Sequence, residues 1–368
     1  MSTKKVLHLT RWYPNSEEPL LGIFVQKHIH SLQHKYQNKA ISIYQTNKIK
    51  SPIYRTENIV NNTKEVIYYH KKGFYNKLKV VLQVWKESKQ YQPDIIHAHI
   101  MGWPSTLAYF LSIFYKYPFL ISEHWTGYRR NKYFKLSYVS KILREISGKK
   151  AKKICVVSKF LKSDMEKCGI EANYIEIGNV VDGKSIETEK NKKFSFVVAG
   201  DLIQETKNIK GGLEAFSEIL KDNNIQLDII GDGKDLNNYK KQTMLLNIQD
   251  HVFFHGNQSN EYVFEILSKS HALILNSYFE TFSIICAEAL LCGIPVIATK
   301  CGGPESFLSK ETGIIIEVGK NKELSEAMKK MIQDHNQYDP EKLKKIAEKF
   351  SVKRISEKIS VEYESALH

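Results

Sequence analysis

The chain has 368 residues and a mass of 42.6 kDa, too long for one hydrophobic core, which points to two domains. Hydrophobic residues at 42% and charged residues at 26% are ordinary for a globular protein and exclude a disordered chain, a coiled coil or a collagen-like fibre. The net charge of +14 is uneven: residues 1–189 carry 31 Lys and Arg against 15 Asp and Glu, and the remainder 23 against 25, so one domain suits an anionic partner.

The opening residues, MSTKKVLHLT, alternate apolar with polar and read as a first strand, not a signal peptide, which needs an apolar block of about 7 to 15 residues. Short β-rich runs follow at AISIYQ (40–45), EVIYYH (65–70), DIIHAH (94–99), PFLISEH (118–124) and KICVVS (153–158), separated by stretches with helical spacing. Strands alternating with helices predict parallel β-α-β units. The most apolar window, Thr106 to Ser122, is broken by Lys116 and Pro118 and falls short of the roughly 20 apolar residues that span a bilayer. Five cysteines without a C-x-x-C pair are expected to be reduced, cytosolic and mostly core.

After the polar stretch DGKSIETEKNKK (182–193) the same pattern restarts with KFSFVVAG, IQLDIIGDG, HVFFHG, HALILNS, IPVIATK and GIIIEV. The fold class expected is therefore α/β, with two doubly wound Rossmann-like domains facing each other across a cleft: 1–189, 190–349, and a terminal helix over 350–368 packing back on the amino-terminal domain. The loops Thr46 to Lys64 and Lys71 to Lys77 are expected to choose the acceptor.

The sharpest constellation is NSYFETFSIICAEALLCGIPVIATKCGGPES, residues 276–306. Glu280 sits in the loop after a strand, Thr281, Phe282 and Ser283 lead into an apolar helix, and Glu288 lies inside it. A loop carboxylate beside a helix N-terminus can hold sugar hydroxyls and phosphate oxygens, and a second carboxylate can reach a ribose. Two glutamates alone fit equally a helix-start residue and a solvated face. With the flanking Ser277, Ala289, Gly293, Pro295 and Val296, E-x7-E resembles the donor-binding signature of the family-four retaining glycosyltransferases, which have the GT-B fold.

That resemblance extends over nearly the whole chain and implies further roles. Gly22, in RWYPNSEEPLLGIF, matches the glycine that lets the backbone approach the donor diphosphate. His124, in SEHWTGY, matches the histidine near the transferred sugar, and Lys207 matches the lysine on the pyrophosphate, where a cation offsets charge on the leaving group. Gly231 opens a GDG turn that either lines the nucleotide cleft or touches the donor. Asp201 departs from the arginine usual in the family, so phosphate binding is expected to rest either on Lys207 with helix N–H groups or on a second cation such as Lys210 or Arg11. The resemblance implies catalytic roles for His124, Glu280 and Lys207, and donor contacts from Gly22, Lys207, Gly231, Glu280, Thr281, Phe282, Ser283 and Glu288. No D-x-D occurs, so no metal and no cofactor beyond the nucleotide sugar are expected. His97 and His99 are expected to point to opposite faces of their strand and not to chelate one metal.

The implied activity is transfer of a hexose or N-acetylhexosamine from UDP- or GDP-sugar to a lipid-linked or envelope polysaccharide acceptor, in the cytoplasm or peripherally on the inner face of the membrane. Residues Arg129 to Lys167, with 13 Lys and Arg and interleaved Tyr133, Phe134, Tyr138, Ile142, Leu143 and Ile146, suit an anionic membrane surface or a lipid-diphosphate acceptor, and equally a solvated face. A nucleotide-sugar epimerase or glycan phosphorylase of the same fold is the alternative. Nucleic-acid binding by the basic half is a remote one and leaves the carboxyl-domain motif unexplained.

Overall fold

The computed structural model describes residues 3–368; Met1 and Ser2, at the head of the expected first domain, lie outside the described residues. In chain order the elements are β1 (Lys5–Thr10), α1 (Ile23–His30), β2 (Gln37–Gln45), β3 (Ile53–Val60), β4 (Thr63–His70), α2 (Phe74–Tyr91), β5 (Ile95–His99), α3 (Trp103–Tyr115), β6 (Phe119–Glu123), α4 (Tyr138–Lys150), β7 (Ile154–Val156), α5 (Lys159–Lys167) and β8 (Tyr174–Glu176). They continue as β9 (Phe194–Ala199), α6 (Gln204–Lys207), α7 (Ile209–Leu220), β10 (Ile225–Ile230), α8 (Leu236–Leu245), β11 (Val252–Gly256), α9 (Asn260–Lys269), β12 (Ala272–Leu275), α10 (Ile284–Leu291), β13 (Val296–Thr299), β14 (Gly313–Ile316), α11 (Asn321–Asp334), α12 (Pro340–Ala347) and α13 (Val352–Leu367).

Two compact units result: one runs to Val180 and is completed by Val352–His368, and the other is Val181–Ser351. The division falls earlier than the expected boundary at 189 because the polar stretch is held by the second unit. Val181 donates its N–H to Phe350 at 2.8 Å, Ile186 N–H donates to Ser268 Oγ at 3.0 Å, and Lys190 Nζ donates to the Ser270 carbonyl at 2.6 Å.

The first unit holds an eight-stranded sheet in the order β3-β4-β2-β1-β5-β6-β7-β8. All neighbours are parallel except β3 and β4. Parallel strands need cover on both faces, so β1, β5 and β6 are apolar runs buried almost throughout. The expected loop Thr46 to Lys64 is in large part strand β3. It turns into β4 through Asn61 and Asn62, both left-handed (φ 47° and 57°), the conformation a two-residue hairpin requires.

Helix α13 buries Ile355, Ile359, Tyr363 and Ala366, spaced at one face of a helix, within the first unit. Tyr363 hydrogen bonds His97 Nδ1 at 2.6 Å. Phe350, expected to begin this segment, instead packs on Phe282 and Phe307 of the second unit.

The second unit has a fully parallel sheet in the order β11-β10-β9-β12-β13-β14. Renumbered within the unit this is 3-2-1-4-5-6, a doubly wound order whose direction reverses between β9 and β12. Alternate residues of each strand feed two cores. Phe196, Ile274 and Ile297 pack with α7 and α11, and Val197, Leu273 and Val296 with α10 and α12.

Candidate active site

Ligands in such sheets gather at the carboxyl ends of the strands where the order reverses, and in the second unit those ends are the loops after β9 and β12. Here Lys207, closing the one-turn helix α6, donates to Glu280 Oε1 at 2.7 Å. Ser277 Oγ donates to the same oxygen at 2.8 Å. Burial lowers the Lys207 pKa, but attraction and hydrogen bonding from Glu280, with Asp201 behind it, outweigh that and raise it.

The backbone fixes this pair. Glu280 N–H donates to Cys301 O and its carbonyl accepts from Gly303 N–H, each at 3.0 Å. Tyr278 N–H donates to Thr206 O at 2.7 Å, and Asn276 Nδ2 to Asn208 O at 3.1 Å, joining the two loops. Glu280 Oε2 makes no hydrogen bond among the described residues.

The other donor-binding candidates divide. Ser283, just before α10, is left-handed (φ 70°) and donates Oγ to Cys286 Sγ at 3.3 Å. Glu288 is buried as the fifth residue of α10. The side chain of Phe282 is 1% exposed against Phe307 and Phe350, which leaves its backbone as the part that can face a donor. Thr281 backbone crowds Gly303. A Cβ at Gly231 (φ 133°) would strike the Gly200 carbonyl, so close packing between two strand ends explains this glycine. Lys210 is exposed at the start of α7 and Asp201 is exposed after β9. A separate hollow of about 810 Å³ beside edge strand β14, lined by Lys300, Gly313, Lys330 and Tyr338, holds none of the expected site residues.

In the first unit Gly22 (φ 68°) precedes α1, and a Cβ there would strike the Trp12 carbonyl. His124 is 5% exposed, its ring against Phe24 and His28, with neither ring nitrogen hydrogen bonded. Burial, reinforced by His28, drives its pKa well below the usual histidine value, so it stays neutral.

His97 and His99 stack at 4.2 Å on one face, correcting the expectation of opposite faces. Residues two apart on a strand share a face. With His8 they bring ring nitrogens within 4.8 Å of one another, the spacing of a metal site. Five of their six ring nitrogens are engaged, His8 with His99 at 3.1 Å and Asn38 at 3.1 Å, His97 with Tyr363 at 2.6 Å and Ser122 at 2.8 Å, and His99 Nδ1 is buried without a partner. We read the cluster as a neutral structural network; burial pushes His8 down to about 4.

The five cysteines are free and buried. Burial pushes Cys155 and Cys286 up to about 12, which removes them as thiolate nucleophiles.

Sequence reasoning missed Glu123. Fully buried at the end of β6, it accepts from the N–H groups of Met101 (2.9 Å), His124 (2.8 Å) and Trp125 (2.9 Å) and from the Tyr128 hydroxyl (3.0 Å). It thereby orders the turn that carries His124. The signal was the single carboxylate closing an apolar strand.

Two doubly wound units of this kind are the architecture of the GT-B fold. The family models agree: residues 25–182 match Glycosyltransferase Family 4 and residues 181–350 match Glycosyl transferases group 1, and the chain belongs to this family. It is 30% identical over 166 residues to N-acetyl-alpha-D-glucosaminyl L-malate synthase of Bacillus anthracis, covering 44% of this chain and 42% of that protein. It is 29% identical over 163 residues to lipopolysaccharide 1,6-galactosyltransferase of Escherichia coli, covering 42% of this chain and 45% of that one. The match thus spans less than half the length of these relatives. The Anabaena protein HepE, solved with UDP, superposes with a TM-score of 0.78 at 16% identity, over 98% of this chain and 100% of that one.

Proposed function

We propose that the protein transfers a hexosyl or N-acetylhexosaminyl group, with retention, from a UDP- or GDP-sugar to a lipid-linked or envelope glycan. The Lys207–Glu280 pair at the reversal point of the second sheet carries this reading. Family membership supports glycosyl transfer, and the lipopolysaccharide relative and the UDP-bound structural neighbour support envelope acceptors and a nucleotide donor.

In this mechanism Glu280 Oε2 and the backbone after it hold the sugar, Glu288 the ribose, and Lys207 the pyrophosphate. The acceptor hydroxyl attacks the anomeric carbon on the face from which the phosphate departs. The new C–O bond forms as the old one breaks, and the hydroxyl proton passes to the leaving phosphate oxygen, so no protein nucleophile is needed. Lys207 stabilises the charge growing on the nucleoside diphosphate, the task that a divalent metal performs elsewhere, so metal-independent turnover follows. His124, neutral and buried, shapes the wall beside the sugar in this scheme.

Among the described residues no helix is long and apolar enough to cross a membrane. Peripheral attachment on the cytoplasmic side is part of the proposal. Phe134, Tyr138 and Val139 are 56%, 78% and 64% exposed amid Lys132 and Lys135, whereas Tyr133 is buried and drops out of that surface.

The test is a thermal-shift panel of UDP, GDP, CDP and NAD with and without magnesium, since a ligand at 100 times its dissociation constant adds about 2.7 kcal/mol. A shift with UDP or GDP that needs no magnesium and disappears in Glu288→Ala is expected. A response to NAD alone sinks the reading.

A further inference from the structure

Arg144 lies on α4, where the charge pattern shows only one cation among thirteen, yet it is 3% exposed and its Nε has no hydrogen-bond partner. Burying a guanidinium costs several kcal/mol unless an anion or a full set of acceptors compensates it. Arg11, following β1, reaches the same place and donates from Nη1 to the Met101 carbonyl at 3.1 Å. The two guanidiniums converge on Gly102. A Cβ there would lie 3.2 Å from Arg11 Nη1 and 3.4 Å from both terminal nitrogens of Arg144. Both also lie against the Trp125 indole, at 6.0 and 5.8 Å from the ring centroid.

One protein anion acts on these charges: Glu123 raises the pKa of Arg11, yet it forms no salt bridge with either guanidinium. Glu123 spends its carboxylate on three backbone N–H groups and Tyr128. Arg55 and Arg354, by contrast, are ion-paired with glutamates. Burial and the charge of Arg144 lower the pKa of Arg11, the mark of two cations held together against repulsion.

The position is that of a ligand site. Arg11 follows β1 and Gly102 follows β5, the adjacent strands at which the first unit's strand order reverses. Gly102 is also the residue before the 13-residue helix α3, whose positive end adds to the field. The N–H groups of Met101 and Gly102 are already taken by Glu123 and Ser105, so the arginines are the available donors. Planar forked donors at such spacing match the oxygens of a phosphoryl group.

We propose that Arg11 and Arg144, meeting at Gly102, hold the phosphoryl group of the acceptor substrate. This rests on the transferase reading, in which the donor diphosphate is held by the other unit, and it adds that the acceptor is phosphorylated.

The experiment titrates inorganic pyrophosphate into the full-length protein with UDP saturating, and repeats this for Arg11→Gln and Arg144→Gln. Wild type is expected to bind pyrophosphate with UDP in place, and each variant at least tenfold more weakly. Absence of binding to the UDP-loaded protein, simple competition between pyrophosphate and UDP, or wild-type binding by Arg11→Gln overturns the proposal. Arg144→Gln removes a buried residue; should it misfold, the more accessible Arg11→Gln decides alone.

If wild type fails to bind UDP or GDP at all, the donor reading fails instead, and pyrophosphate titration of the unloaded variants still tests the arginines. Glucose 1-phosphate and phosphatidylcholine vesicles containing farnesyl diphosphate then separate a soluble sugar phosphate from a lipid diphosphate. Arginine-dependent binding of either supports the site, and of neither overturns it.

Discussion

The ion pair of Lys207 and Glu280 is balanced at 2.7 Å, and each partner is largely withdrawn from water. Under the proposed mechanism, removing Lys207 leaves the Glu280 carboxylate beside the donor diphosphate without its ion-pair partner. Lys207→Ala and Glu280→Ala are each expected to reduce turnover at least about a hundredfold, read from initial rates at saturating donor with circular dichroism confirming the fold. Gly231→Ala places a methyl group on the Gly200 carbonyl at a positive φ, and a loss of about 2 kcal/mol or more in urea unfolding is expected. Individual residues are where the sequence was least legible. E-x7-E marked the loop and helix correctly, but nothing in it says that Phe282 turns into the core. A charge count cannot distinguish Arg144, enclosed on α4, from its solvated neighbours Lys149 and Lys150.

At the scale of elements, the buried parallel strands were legible because cover on both faces demands unbroken apolar runs. The exposed edge strand β3 was not, since IYRTENIV carries polar residues on a strand with little to bury, although Asn61-Asn62 marked its turn. His8 on β1 and His28 on α1 make these elements sensitive to acid. Burial holds His8 and His28 at about 4, against 6.5 in the unfolded chain, so the unfolded state binds more protons between those values. Their contribution is complete above pH 6.5 and lost as pH falls towards 4. Each is expected to cost about 2 kcal/mol of stability between pH 7 and pH 5, measured by urea unfolding at both. Helix α13 is tied to this group through Tyr363, and Tyr363→Phe is expected to cost about 1 kcal/mol by leaving His97 Nδ1 unpaired.

Across the whole molecule the charge divides more sharply by structure than by sequence position: 33 Lys and Arg against 15 Asp and Glu in the first unit, 21 against 25 in the second. Under the membrane proposal, flotation with vesicles containing anionic lipid is expected to retain the protein at low salt and release it at high salt. Phe134→Ser with Tyr138→Ser is expected to weaken retention, and equal retention by neutral vesicles would count against it. The division at 180/181 and 351/352 also bears on how the protein is made. The second unit is an insertion whose ends meet, Val181 bridging Ser351, so it closes on itself as soon as Ser351 is available. The first unit's sheet is synthesised earlier, but His97 waits for Tyr363, whose codon is read only after the second unit is finished. The first unit's α1 and β5 are therefore covered by α13 only after the whole second unit has been made.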